Sequence, residues 1–191
     1  MFFCKGLICI IITSTLISCG AGKQVDAPAW YTDPARVDTG KLRFDGYYTN
    51  ISEPNYPQTK YTAVNPAFFT SENKISVSHG ANIGTDSSVF TCEYYKRIKP
   101  ASLGKYIIEG NKISAFVPVS VATAGGTFYP IFNLYFTGTI ANKELITNWK
   151  AVPPFPAKIS KSVIEDPQNT GVFVEHDMKF IRADSVKCLN P

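Results

Sequence analysis

From Leu42 onward, apolar and polar residues mostly alternate, the period of a pleated strand rather than of a helix. Leu42, Phe44 and Tyr48 alternate with Arg43, Asp45 and Tyr47 and predict a first strand. The polar, proline-marked stretch 49–66 predicts a long loop. Residues 67–70 and 74–78 predict two short strands around Ser71-Glu72-Asn73, and 79–85, with Gly80 and Gly84, another loop. Residues 86–99 predict the one helix. Asp86 or Ser87 supplies an N-cap, Phe90, Tyr94 and Ile98 fall four apart on one face, and Pro100 stops it. A strand over 89–95 is the competing reading.

The second half is more regular. Residues 105–108 and 113–119 predict a hairpin, because Gly110-Asn111 supplies the positive φ that a two-residue turn needs. Ile113, Ala115, Val117 and Val119 share one face of its second arm. Ala124-Gly125-Gly126-Thr127 turns the chain into a long strand over 128–140. There Phe128, Phe132, Leu134, Phe136 and Ile140 face one way, and Tyr129, Ile131, Tyr135 and Thr139 the other. Ala141-Asn142-Lys143 leads into a strand over 145–150. A loop begins at Pro153-Pro154-Phe155-Pro156 and runs to Gly171, and 172–182 is the last strand. About eight turn-separated strands and one short helix predict a mainly β domain, an antiparallel barrel with a β-sandwich as the alternative.

The N-terminal pattern is different. Lys5 is the one charge in residues 1–18, and 7–18 is apolar or hydroxylic around Leu7-Ile8-Cys9-Ile10-Ile11-Ile12. Twelve residues of helix rise about 18 Å, well short of a roughly 30 Å hydrocarbon core. A short apolar run behind a positive charge predicts a secretory signal peptide over 1–18; a buried N-terminal element is the alternative. Leu16-Ile17-Ser18-Cys19, placed directly after that run, resembles the lipobox of bacterial lipoproteins. The resemblance implies cleavage before Cys19, a diacylglyceryl thioether on its sulfur and an acyl chain on its amino group. An ordinary signal-peptidase site is the competing reading. Gly20 stands where an Asp would imply inner-membrane retention, so the resemblance implies the outer membrane. Ala21-Gly22-Lys23-Gln24-Val25-Asp26 lacks an acidic cluster resembling a surface-export tag, which favours the periplasmic face over the cell surface. Residues 19–41 then form the lipidated cysteine and a flexible tether marked by Pro28 and Pro34. Trp30-Tyr31 is unusual in a tether and predicts a contact with the domain or with headgroups. The domain occupies 42–191.

Processing leaves 18 basic and 15 acidic side chains, too even a balance for a nucleic-acid footprint. It also leaves Cys92 and Cys188 as candidates for a disulfide in an oxidising compartment, with two unpaired thiols as the alternative. That bridge would close a 97-residue loop, worth on the order of 4.7 kcal/mol in the chain-entropy model.

The runs Leu42-Arg43-Phe44-Asp45-Gly46-Tyr47-Tyr48, 104–113 and Phe136-Thr137-Gly138-Thr139-Ile140 resemble, in order and spacing, the lipocalin-like domains found among bacterial lipoproteins. The resemblance covers about 42–182 and implies an eight-stranded barrel. The lipocalin first strand carries Gly-x-Trp, whereas Gly46-Tyr47-Tyr48 has Tyr; the Arg that packs on that Trp corresponds only loosely to Arg182.

His79 and His176 stand on different segments, and His176 and Asp177, as strand neighbours, point to opposite faces. No nucleophile elbow, zincin helix or phosphate loop is present. The sequence therefore predicts no catalytic residue, no metal site and no cofactor. Thirteen Phe, ten Tyr and two Trp exceed what a small half-buried sheet requires. They line either a plain core or a cavity for one small ligand, the two options for an eight-stranded barrel. The leading expectation is a non-catalytic binding domain for a small apolar or amphipathic molecule, with Tyr48, Phe132, Phe136 and Trp149 as contacts. The alternative is a structural or accessory lipoprotein docking on another envelope protein.

Overall fold

The computed structural model describes residues 24–32, 39–50, 66–77, 103–123 and 130–182. Cys19, Cys92, Cys188, His79 and the helix expected over 86–99 lie outside them. The strands are β1 (Gly46–Asn50), β2 (Ala67–Phe69), β3 (Lys74–Val77), β4 (Gly104–Glu109), β5 (Lys112–Ser120), β6 (Ile131–Asn142), β7 (Leu145–Val152) and β8 (His176–Arg182). Each pairs antiparallel with the next, and β8 pairs with β1 from Gly46↔Arg182 to Asn50↔Met178, so the sheet closes into an eight-stranded, lipocalin-like up-and-down barrel. Closure removes the free edges that a sandwich would keep.

The two ends of the barrel differ. One end, the turn end, carries the tight connections at 70–73, 110–111 and 143–144 and receives the chain entering β1. At the other, the loop end, β1, β3, β5 and β7 finish and β2, β4, β6 and β8 begin; of the connections between them, 153–175 is described throughout. In the β4–β5 turn, Gly110 takes φ +59° between the paired Glu109 and Lys112.

The first strand starts at Gly46 rather than Leu42 and buries both Tyr47 and Tyr48, and β2 is buried on both faces; β6 shows the expected alternation most clearly. Phe132, Leu134, Phe136 and Ile140 are buried, while Ile131 and Thr139 face solvent and Tyr135 is half-buried. β7 departs from strict alternation. Thr139 pairs with Thr147 but Thr137 pairs with Lys150, so one extra residue is inserted, and Asn148 absorbs it at φ +56°. This bulge turns both Ile146 and Trp149 inward, three positions apart. Gly138 lies opposite; a Cβ there would stand 2.9 Å from Ile146 Cγ2 and 3.0 Å from Trp149 Cε3.

The last strand starts later than the alternation suggests. Instead of extending from 172, the chain makes helical turns at Lys161–Ile164, Pro167–Asn169 and Thr170–Phe173, and β8 begins at His176. Val172 and Phe173 are consecutive and both buried, carried by a helical turn packed into the core.

Candidate functional site

The lumen of an eight-stranded barrel has room for side chains or one small ligand, and here it is occupied by aromatic rings. Tyr48 meets Phe69 edge-on at 5.5 Å and Phe180 at 5.3 Å. Phe69 meets Tyr106 at 5.1 Å and Trp149 at 6.1 Å, and Trp149 stacks on Phe136 at 5.3 Å with the planes 19° apart. These are the offset and edge geometries that ring quadrupoles prefer. The structure thus brings Tyr48, Phe136 and Trp149 into one ladder. Phe132 stands nearer the loop end, paired with Val119. None of the four is more than 5% exposed.

Both lumenal tyrosines are satisfied from within. The Tyr48 hydroxyl donates to the Lys143 carbonyl at 2.7 Å and accepts the Arg43 N–H at 3.0 Å; Tyr106 donates to the Thr70 carbonyl at 2.7 Å. Burial pushes the Tyr48 phenol up to about 12 and raises that of Tyr106 further, so neither ionises at neutral pH.

The turn end is closed by the chain entering β1. Leu42 is buried, and the Arg43 guanidinium lies 4.4 Å above the Phe180 ring. Arg43 donates to both Asp45 oxygens, at 3.0 and 2.6 Å, and to Glu144 at 2.9 Å. The Arg43 bonds hold the Asp45 carboxyl below its ordinary range. Lys41 donates to the Gly110 carbonyl and to Asn111 Oδ1. Arg182 reaches Asp45 at 3.8 Å, so Arg43, not Arg182, provides the cation that covers a lumenal ring.

At the loop end, residues of the connection 153–175 pack into the barrel. Ile159, Val163, Val172 and Phe173 join the same apolar core as the lumenal rings, and Phe155 packs edge-on against Phe173 at 5.4 Å. Asn169, fully buried, fastens this connection. Its Oδ1 accepts the Ala122 N–H at 2.9 Å, and its Nδ2 donates to the carbonyls of Ala122 at 2.9 Å and Val163 at 2.7 Å. His176 opens β8 opposite Trp149, with Nδ1 2.9 Å from the Val174 carbonyl and Nε2 buried without a hydrogen-bond partner. As expected, Asp177 points the other way, accepting the Asn148 N–H at 3.2 Å.

The outer wall is the remaining surface. Gln24–Thr32, within the stretch expected to be a tether, lies along it. Gln24 Oε1 accepts the Asn133 N–H at 3.3 Å, and the Asp26 carbonyl accepts the Tyr135 hydroxyl at 3.0 Å. The Tyr31 ring meets Phe116 edge-on at 5.4 Å, and Lys105 donates to the Tyr31 carbonyl at 2.6 Å. Tyr31 therefore answers the expectation for the aromatic pair by docking on the domain. Two open grooves flank this wall. One, of about 500 Å³, runs between Val25, Asp26, Tyr135 and Phe155; the other, of about 350 Å³, is lined by polar side chains including Thr137, Thr139, Asn148 and Lys150.

Among the described residues, no three His, Cys, Asp or Glu side chains stand close enough together to hold a metal ion. The arrangement offers enclosed apolar packing and a polar outer wall. Sequence reasoning missed Asn169, Arg43 and Phe69 as structural fasteners; only Arg43 carried a signal, its place beside Asp45 ahead of the first strand. Compared with known proteins, the chain matches no family model, no curated protein and no solved structure.

Proposed function

We propose that this chain is an outer-membrane lipoprotein held by acyl chains on Cys19, on the periplasmic face, and that its barrel is a non-catalytic docking module for another envelope component. The observation that carries the reading is the filled lumen. Tyr48, Phe69, Tyr106, Phe136 and Trp149 contact one another through the barrel, and described chain packs against this core at both ends. A lumenal ligand would have to displace rings whose burial stabilises the fold by roughly 1.5–3 kcal/mol each. Recognition is therefore assigned to the outer wall and its grooves. The anchor follows from Leu16-Ile17-Ser18-Cys19 behind the apolar run; three acyl chains, at about 0.8 kcal/mol per buried methylene, hold essentially permanently.

The test is expression of the full chain in a Gram-negative host with labelled palmitate, beside the Cys19→Ser variant. Label and membrane sedimentation are expected in the first and neither in the second. Native mass spectrometry of the soluble variant is expected to give the bare polypeptide mass. A stoichiometric small molecule, released by Trp149→Ala, would return recognition to the lumen and overturn the docking reading.

A further inference from the structure

Gln24 is the first described residue, and it is already bound to the barrel wall beside Asn133, the third residue of β6. Asp26 is held two residues further on by Tyr135. Four residues lie between Cys19 and Gln24, so the five backbone steps span at most about 18 Å even when fully extended. The far end of β6, at Asn142, lies nine residues beyond Asn133. That is about 30 Å along the strand, or about 23 Å along the barrel axis once strands tilt by roughly 40°. At full extension the Cys19 backbone stops short of the turn end while Gln24 keeps its contact, whereas the loop end lies well within reach, so the tether favours the loop end at the bilayer.

The distribution of exposed apolar side chains agrees with that geometry. Among the described residues the largest exposures of this kind are Ile131, 63%, at the start of β6, and Val174, 52%, just before β8. Both belong to the loop end. The third, Ile181, lies near the other end and is exposed by 37%. Within the described connection 153–175, Lys158 and Lys161 stand against Glu165, Asp166 and Glu175, so this connection has no polybasic character. A contact made by this connection is apolar and tether-directed rather than salt-sensitive.

We propose that the loop end of the barrel rests on the surface of the bilayer that holds the Cys19 acyl chains, with Ile131 and Val174 at the headgroup boundary and the turn end directed away from the membrane. The proposal rests on the lipoprotein reading above and deepens it, because it fixes which surface remains open to a partner: the turn end and the adjoining wall.

The full lipidated chain is reconstituted into vesicles of phosphatidylethanolamine and phosphatidylglycerol containing headgroup-nitroxide lipid. One fluorescent amino acid is placed at Ile131, at Val174, or at Lys112 and Lys143 as turn-end controls, all exposed positions. Several-fold stronger quenching is expected at Ile131 and Val174 than at Lys112 and Lys143, unchanged in high salt. Equal quenching at all four positions, or stronger quenching at the controls, overturns the orientation while vesicle flotation leaves the anchor standing. A chain that carries no acyl group and does not float overturns the anchor and, with it, the orientation.

Discussion

His176 shows how one side chain couples this fold to pH. Its Nδ1 faces the Val174 carbonyl, which only accepts, so that nitrogen carries the ring proton and Nε2 holds a buried lone pair with no partner. Protonation would put charge where nothing receives it. Burial lowers the His176 pKa, against smaller opposing contributions from the Val174 carbonyl and Asp177. A base whose folded pKa lies below its unfolded value, about 6.5, contributes stability that is complete above that pH and is lost as pH falls through it. The melting temperature is expected to fall on acidification from about pH 7 to about pH 5, and less steeply in His176→Phe; parallel curves would deny His176 the role. Trp149 and Gly138 make the complementary steric case. Gly138→Ala is expected to cost about 1–3 kcal/mol in urea unfolding, because the new methyl meets Trp149 and Ile146. Trp149→Ala, which empties the centre of the ring ladder, is expected to cost about 3–5 kcal/mol. The double variant should cost less than the two together, since removing the indole frees the space the methyl needs.

At the scale of elements, the connection 153–175 stands out for how little of it the sequence announces. Its helical turns span three or four residues each, too few for a 3.6-residue period to be visible, and Val172-Phe173 looks like the start of the strand that follows. By contrast β6 is readable because twelve residues repeat the two-residue alternation, and the β4–β5 hairpin because Gly110-Asn111 marks its turn. The bulge in β7 left no such mark: Asn148 is an ordinary polar residue until Trp149 and Ile146 are both seen to face inward. The site was legible in the same uneven way. The aromatic content and strand faces singled out Tyr48, Phe132, Phe136 and Trp149 as ligand contacts, and the structure buries all four. Whether an interior holds side chains or a ligand depends on how rings from distant strands meet, and no single strand carries that information. Asn169 fastens the whole connection through three hydrogen bonds to backbone groups. Asn169→Ala leaves the Ala122 N–H and two carbonyls without these partners and is expected to destabilise by about 2–4 kcal/mol. Faster amide exchange should be concentrated in 153–175 and at 121–123; protection unchanged there would show that apolar packing alone holds the connection.

For the whole molecule, closure of the barrel and the course of the N-terminal segment are linked. A closed eight-stranded sheet presents two faces, and the inner one is filled, so anything added to the barrel must lie on its wall or its ends. The segment at Gln24–Thr32 takes part of that wall, crossing β6, β5 and β4 through Asn133, Tyr135, Phe116 and Lys105. Phe116 points outward from β5 yet is only 4% exposed, and the Tyr31 and Tyr135 rings are packed against it at 5.4 and 4.8 Å. On the lipoprotein reading proposed above, this contact would convert the tether into a short leash with a fixed exit point, which a free linker of the same length would lack. Deleting residues 20–32 uncovers Phe116 without touching any strand. The shortened chain is therefore expected to keep the β-sheet circular dichroism of the full domain while losing about 1–3 kcal/mol of stability, the scale for re-exposing one large aromatic side chain. Tyr31→Ala should reproduce much of that loss. If both variants unfold at the denaturant midpoint of the intact chain, the segment lies on the wall without contributing to it, and the leash would be as long as the whole of residues 20–41.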